Sequence, residues 1–251
     1  MPGRSQTLRL GAEPFMQLEH PLPVFIGYDD REREAFEVAR HSLARHSSIA
    51  LIIEPLMLGD LRQRGLYSRG DDPLASTQFT YTRFLVPRLT HYHGHALYFD
   101  CDFLWKSDVA GLLTDLDPAK AVHCVQHDYA PAETHKMDGV RQSVYPRKNW
   151  SSLMLFNCAH EACRRLTVEA VNSAPPKYLH RFEWARDQDI GQLSYEWNWL
   201  EGHYSTAKGD LPPAAIHYTR GGPWFADWQH VDFADDWRAE LALCKASERP
   251  V

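Results

Sequence analysis

His95-Ala96-Leu97-Tyr98-Phe99-Asp100-Cys101-Asp102 is an apolar, aromatic run closed by two carboxylates one residue apart. It reads as a buried strand with a charged end. In an extended chain residues i and i+2 point to the same side, so Asp100 and Asp102 can converge on one ion where the strand leaves its sheet. Two hard oxygen donors suit Mg²⁺ or Mn²⁺. Such cations keep one or two carboxylates and usually draw the remaining ligands from water and substrate phosphate. A substrate carrying phosphate or diphosphate is therefore implied. Asp is also common in the turns that end strands, and an Asp-x-Asp taken alone is better explained that way.

Upstream, Leu22 to Gly27 reads as a short buried strand, and Tyr28-Asp29-Asp30 as a turn in which Asp29 and Glu32 have the spacing of a capping box. Phe36, Ala39 and Leu43 then recur at helical spacing, and Ser48 to Glu54 forms the next strand. Strand, helix and strand in this order begin an α/β fold with parallel strands. Residues 56–75 read as a loop or broken helical segment, and Ser76 to Leu85 as a helix that stops near Pro87.

Downstream, Ser107 to Leu113 reads as a short helix capped by Ser107, and Ala121 to Gln126 as a strand. A long polar loop over 127–148 carries Tyr129, Arg141, Arg147 and Lys148; loops of such length are often functional. Trp150 to Asn157 reads as a strand, and Ala159 to Val171 as a helix with Ala162, Leu166 and Ala170 on one face. Asp187 to Leu193 has the character of the first turns of a helix. Ala214 to Trp224 places His217 near the end of a short strand, ahead of Gly221 and Gly222. Glycines there let backbone approach a ligand, their N–H groups can hold phosphate oxygens, and Arg220 adds charge. The C-terminal third is rich in tryptophan, at 184, 197, 199, 224, 228 and 237.

With 251 residues, 44% hydrophobic and 24% charged, the chain can bury a full core as one domain. Residues 1–21, which mix charge, Pro and Gly without period, read as a flexible N-terminal tail, leaving 22–251 as the folded domain. A formal charge of -6 argues against a nucleic-acid surface. No apolar run approaches the roughly 20 residues of a transmembrane helix, and the N-terminus lacks a signal-peptide core. The five cysteines are scattered without paired spacing, which fits reduced thiols in a cytoplasm.

Taken together, these pieces resemble the family-eight retaining glycosyltransferases, a group that includes glycogenin and bacterial lipopolysaccharide galactosyl- and glucosyltransferases. The resemblance runs from about Val24 to Trp224. It rests on Gly27-Tyr28-Asp29, Tyr81-x-Arg83, Leu97 to Asp102, Asn149 to Asn157, Asp187-Gln188-Asp189, and His217 to Trp224. It implies a GT-A-like single α/β domain with a mixed, mostly parallel sheet flanked by helices, its site at the carboxyl ends of the strands. It further implies Asp100, Asp102 and His217 as ligands of Mn²⁺, with Mg²⁺ the alternative; an imidazole nitrogen favours Mn²⁺. That ion would hold the diphosphate of a nucleotide sugar, a UDP-sugar foremost, and stabilise the leaving group as its charge grows.

By the same resemblance Gly27, Tyr28 and Asp29 hold the nucleotide, Arg83 reaches the donor sugar or diphosphate, and Gly221 and Gly222 lie at the phosphates. Asp187 and Gln188 take the catalytic positions beside the anomeric carbon. The expected reaction moves a hexose with retention to a glycan or lipid-linked glycan, by front-face attack that needs no protein base. A protein peripheral to the inner membrane face is compatible with such an acceptor. This sequence departs from the pattern at Gly222, where the family has lysine, and at Ser151-Ser152-Leu153-Met154, where Asn/Ser-Gly-Val-Met is usual. Arg220 is the candidate replacement for the missing cation. Two other classes remain open: a sugar-nucleotide pyrophosphorylase, although acids follow Gly27-Tyr28-Asp29 where a basic, glycine-rich signature is expected, and a non-catalytic carbohydrate- or nucleotide-binding protein on the same fold.

Overall fold

The structure, a computed structural model, describes residues 20–70, 72, 75–114, 116–128, 146–205 and 211–247. Nearly all of the expected N-terminal tail, and Tyr129 and Arg141 of the long loop, lie outside the described residues. In chain order the elements are β1 (Leu22–Gly27), α1 (Arg33–His46), β2 (Leu51–Leu56), α2 (Leu58–Gln63), α3 (Val86–Leu89), β3 (His95–Phe99), β4 (Phe103–Trp105), β5 (Val122–Val125) and β6 (Leu153–Asn157). They continue as α4 (Val168–Ser173), α5 (Pro176–His180), β7 (Ile190–Leu193), β8 (Trp199–Leu200), β9 (Ala215–His217) and α6 (Ala234–Ser247).

The main sheet has the order β2-β1-β3-β6-β5-β7. Only β6 runs against the others, antiparallel to both β3 and β5, so the sheet is mixed and mostly parallel. Its inner strands β1, β3, β6 and β5 are apolar on both faces because helices cover both. Leu97, Phe99, Leu153 and Leu155 pack with Val24 and Ile26 against Phe36, Ala39 and Leu43 of α1. Ala96, Tyr98, Met154 and Phe156 face the opposite way, onto Phe84, Leu85, Val171, Leu179 and Trp184. Each of these large side chains, once buried, contributes about 1.5–3 kcal/mol.

A smaller sheet, β4-β9-β8, continues from the end of β3. Its Leu104 and Ile216 pack with Val38 of α1, Tyr218 and Trp237 of α6. α6 is fastened to α1 by Glu240, whose carboxylate accepts from Arg45 Nη2 at 2.6 Å and from His41 Nδ1 at 2.7 Å.

Several boundaries differ from the sequence reading, each for a local reason. β2 starts three residues later than expected and runs through Pro55, which an edge strand tolerates because one side of it needs no donor. The segment from Ser76 is turns and a 3₁₀ turn, Thr82–Leu85; Pro87 lies in the first turn of α3 instead of stopping a helix. Asp108, not Ser107, caps Val109–Leu113 by accepting from Ala110 N at 3.0 Å. The helix expected over 159–171 divides because Thr167 caps a new one, accepting from Ala170 N.

The largest correction is at Asp187 to Leu193, which makes one 3₁₀ turn, Asp187–Asp189, and then enters strand β7. Arg186 and Asp189 close that turn reciprocally. Gly191 then lies flat under the His123 ring of β5, where a Cβ would come within 2.2 Å. A helix cannot make that strand contact.

Candidate metal centre

Register brings the candidate ligands together. β1 pairs in parallel with β3, Ile26 beside Phe99, so the segments leaving the two strands run side by side. Asp100 N donates to Ser152 C=O at 2.9 Å, which pins the end of β3 to the start of β6. β4 pairs antiparallel with β9, Phe103 opposite His217, and Tyr218 N donates to Asp102 C=O at 2.9 Å. The late histidine therefore lands beside the Asp-x-Asp although 115 residues separate Asp102 from His217. One ligand atom from each of Asp100, Asp102 and His217 lies within 4.8 Å of the other two. The sequence reading drew Asp100 and Asp102 on an extended strand; they converge instead through a turn, because β3 ends at Phe99.

A layer of neighbours holds these groups. Arg83, buried, sets Nη1 at 2.9 Å from Asp100 Oδ1, donates from the same nitrogen to Ser151 C=O at 2.9 Å, and lies over the Phe79 and Tyr98 rings. Tyr98 Oη donates to Asp100 Oδ1 at 2.7 Å. Burial pushes the Asp100 carboxyl up; Arg83 opposes this and Asp102 adds to it. The polarity of a hydrogen-bond chain fixes His217. Ser152 Oγ donates to Asn149 C=O at 2.7 Å, so it accepts from Asn198 Nδ2 at 2.9 Å. Asn198 then presents Oδ1 to His217 Nδ1 at 2.9 Å, and Nδ1 must carry the proton. In the neutral ring the Nε2 lone pair then lies 3.3 Å from Asp102 Oδ1. Two carboxylates and one imidazole, each offering an atom within 4.8 Å of the others, form a donor set that fits a divalent ion.

The other expected site residues are placed as follows. Gly27 is required sterically: a Cβ there would come within 2.6 Å of the Phe79 ring and 2.9 Å of Tyr98 Oη. Tyr28 packs edge-on to Phe36. Asp29, fully buried, accepts from Arg31 N and Nε and from Gln78 N; burial works to raise its pKa, but these bonds hold it below the usual carboxylate value. Gly221 N donates to Tyr218 C=O, and the space beside the Gly221 and Gly222 Cα atoms is filled by the Trp228 and Trp224 rings. Arg220 is held by buried Glu201, Nη2 to Oε2 at 3.0 Å, and lies over Trp228.

Asp187 and Gln188 are not brought to the cluster. Ile190 pairs with Val122, Val122 with Phe156, and Phe156 with Ala96. The 187–189 turn thus precedes the Ala96 level, three strands across from β3, while Asp100 follows Phe99 at the other end of that strand. Asp187 is exposed and pairs with Arg147 at 2.6 Å, Lys120 Nζ donates to Gln188 C=O, and Asp189 pairs with Arg186.

Sequence reasoning missed Tyr98, Ser152 and Asn198 as neighbours of the centre, and no local spacing marks them.

No family model matches the chain. Among curated proteins, protein CDI of Arabidopsis thaliana is 48% identical over 223 residues, which cover 88% of this chain and 86% of that one. The chain belongs to the CDI family. Solved structures similar to this CDI-family chain include the bifunctional glycosyltransferase WbbM, with TM-score 0.54 and 18% identity over 90% of this chain; the chain spans half of WbbM, 50%. The galactosyltransferase LgtC, solved with donor and acceptor sugar analogs, gives TM-score 0.56 and 14% identity, covering 88% of this chain and 96% of that one. At such identities the likeness establishes fold alone: this CDI-family chain has the GT-A glycosyltransferase fold. Among the described residues, no helix is long and apolar enough to cross a membrane.

Proposed function

We propose that the chain is a metal-dependent hexosyltransferase that moves a sugar from a nucleotide diphosphate, with UDP-sugars as the donor class, to a hydroxyl of a glycan or lipid-linked glycan. The observation that carries this reading is the convergence of Asp100, Asp102 and His217 at the carboxyl end of β3, on a fold shared with glycosyltransferases. Ligands of open α/β sheets bind at that edge. A bound Mn²⁺ or Mg²⁺ would supply charge stabilisation for a departing diphosphate. The protein's part is to orient the carboxylates through Arg83 and Tyr98, and the imidazole through Asn198 and Ser152. Retention by front-face attack belongs to the same proposal. Asp187 and Gln188 remain its catalytic candidates only if the 146–148 and 187–189 segments approach the donor together, for which the Arg147–Asp187 pair is the available link.

The test is calorimetric titration of UDP, GDP and their sugars with Mn²⁺ or with chelator, beside Asp100→Ala, followed by an assay for UDP release. Metal-dependent binding of one nucleotide that Asp100→Ala abolishes supports the donor site. Binding without any release of UDP, with a range of glycan acceptors, would favour the non-catalytic reading. If no nucleotide binds under any metal condition, the proposal fails and shared fold is all that stands.

A further inference from the structure

Asp29 lies in the turn after β1 with none of its surface exposed, and its carboxylate is fully engaged. Oδ1 accepts from Arg31 N and Arg31 Nε, both at 3.0 Å, and Oδ2 accepts from Arg31 Nη2 at 2.9 Å and Gln78 N at 3.1 Å. A carboxylate offers about four lone-pair sites, so no acceptor is left over for a nucleotide. The bond to Arg31 N is a helix cap, which an aspartate in this position makes in any short turn. The bond to Gln78 N serves no cap, since it reaches 49 residues along the chain.

The neighbours of Asp29 repeat that reach. Arg31 Nη2 has a second N–H, which it donates to Ser76 C=O at 2.8 Å, and Gln78 Nε2 donates to Asp30 Oδ2 at 3.2 Å. Phe79 lies so near Gly27 that a Cβ there would come within 2.6 Å of its ring. The segment held in this way leads directly to Arg83. Arg83 Nε donates to Phe79 C=O at 3.3 Å, its guanidinium lies over the Phe79 ring, and its Nη1 reaches Asp100 Oδ1 at 2.9 Å. We propose that Asp29 is a positioning residue that contacts no nucleotide: with Arg31 it clamps residues 76–79 to the exit of β1, and through Phe79 it sets Arg83 against Asp100. The consequence for donor binding rests on the function proposed above, whereas the clamp itself does not.

The experiment uses the full chain and compares wild type, Asp29→Asn, Arg31→Met, Arg83→Gln and the Asp29→Asn/Arg83→Gln pair. Amide exchange is followed without ligand, and UDP, GDP and ADP are titrated with Mn²⁺ by calorimetry. The Arg31 side chain is 45% exposed, so Arg31→Met keeps the test open should Asp29→Asn not fold. Both single variants of the clamp are expected to speed exchange over 76–84 about tenfold or more, as the loss of a charged hydrogen bond implies, while β5 and β6 keep wild-type protection. Both are expected to weaken the nucleotide that wild type binds by a similar factor and to leave the preference among the three bases unchanged. In the Arg83→Gln background, Asp29→Asn should weaken binding no further. Unchanged exchange over 76–84 overturns the clamp. An altered base preference in Asp29→Asn, absent from Arg31→Met, shows direct contact and overturns the positioning role. Faster exchange with nucleotide affinity within twofold of wild type separates the segment from Arg83 and overturns the proposal as well. If wild type binds no nucleotide, the function proposed above fails, and exchange over 76–84 still decides the clamp in either direction.

Discussion

Asp102 Oδ1 and His217 Nε2 face one another across 3.3 Å because a relay of three polar groups decides which imidazole nitrogen is protonated. Removing the middle of the relay should therefore be felt at the metal. Asn198→Ala frees His217 to change tautomer and leaves Ser152 Oγ short of a donor. Its expected effects are a fall in Mn²⁺ affinity of about tenfold or more and a stability loss of about 1–3 kcal/mol, measured by calorimetry and urea unfolding. Unchanged Mn²⁺ affinity would exclude the relay. Arg83 offers a complementary test, since it is the cation against a buried aspartate. Arg83→Gln should cost about 3 kcal/mol or more in the metal-free protein, and Mn²⁺ should restore part of it. A loss that Mn²⁺ does not reduce would show that Arg83 serves packing instead. The three candidate ligands were named through the resemblance: a carboxylate pair at a strand end and a histidine before a glycine turn are local patterns, but alone they read at least as well as a turn and a structural histidine. Asn198 and Ser152 were not: they act on His217 through bonds spanning 46 and 19 residues, for which no local spacing exists.

Elements were legible where a strand or helix carries its own apolar period and misread where a tertiary contact decides. β1, β3 and α1 follow their patterns, while Ile190 to Leu193 becomes a strand because Gly191 fits under His123, a contact invisible in the run of residues. The 187–189 turn consequently sits at the start of β7 and not at a helix N-terminus. α6 depends on a different long-range contact. Glu240 is nearly enclosed between Arg45 and His41, and although burial works against its charge, their bonds hold its carboxyl below the usual value. With the folded pKa depressed, the stabilisation is complete above the ordinary glutamate value of about 4.3 and is lost as pH falls through the lower folded value. Glu240→Gln should thus cost roughly 1–2 kcal/mol at pH 7, and its urea midpoint should converge on that of wild type as pH approaches 3. A gap that persists undiminished into acid would mean that shape, not charge, fastens α6.

At the scale of the whole molecule, the candidate centre is where two sheets meet. Asp100 leaves β3 of the main sheet, whereas His217 ends β9 of the small one, and Asp102 lies in the turn between β3 and β4. The strand order could not be read from sequence, since nothing local reveals that β6 inserts antiparallel between β3 and β5, and it is this order that pins Asp100 to Ser152. A cation held by all three ligands would tie the sheets in a way that the metal-free protein lacks. Binding only the folded state, Mn²⁺ at about 100 times its dissociation constant should add about 2.7 kcal/mol. For a chain of this size that corresponds to a rise in Tm of roughly 5–10 °C. The gain should also be local: amide exchange should slow across 100–103 and 215–220, on both sides of the junction, and change little in β2 at the far edge. Protection confined to one sheet would mean that the ion is held by the Asp-x-Asp without His217. Protection spread evenly over β2 as well would point to global stabilisation from binding elsewhere.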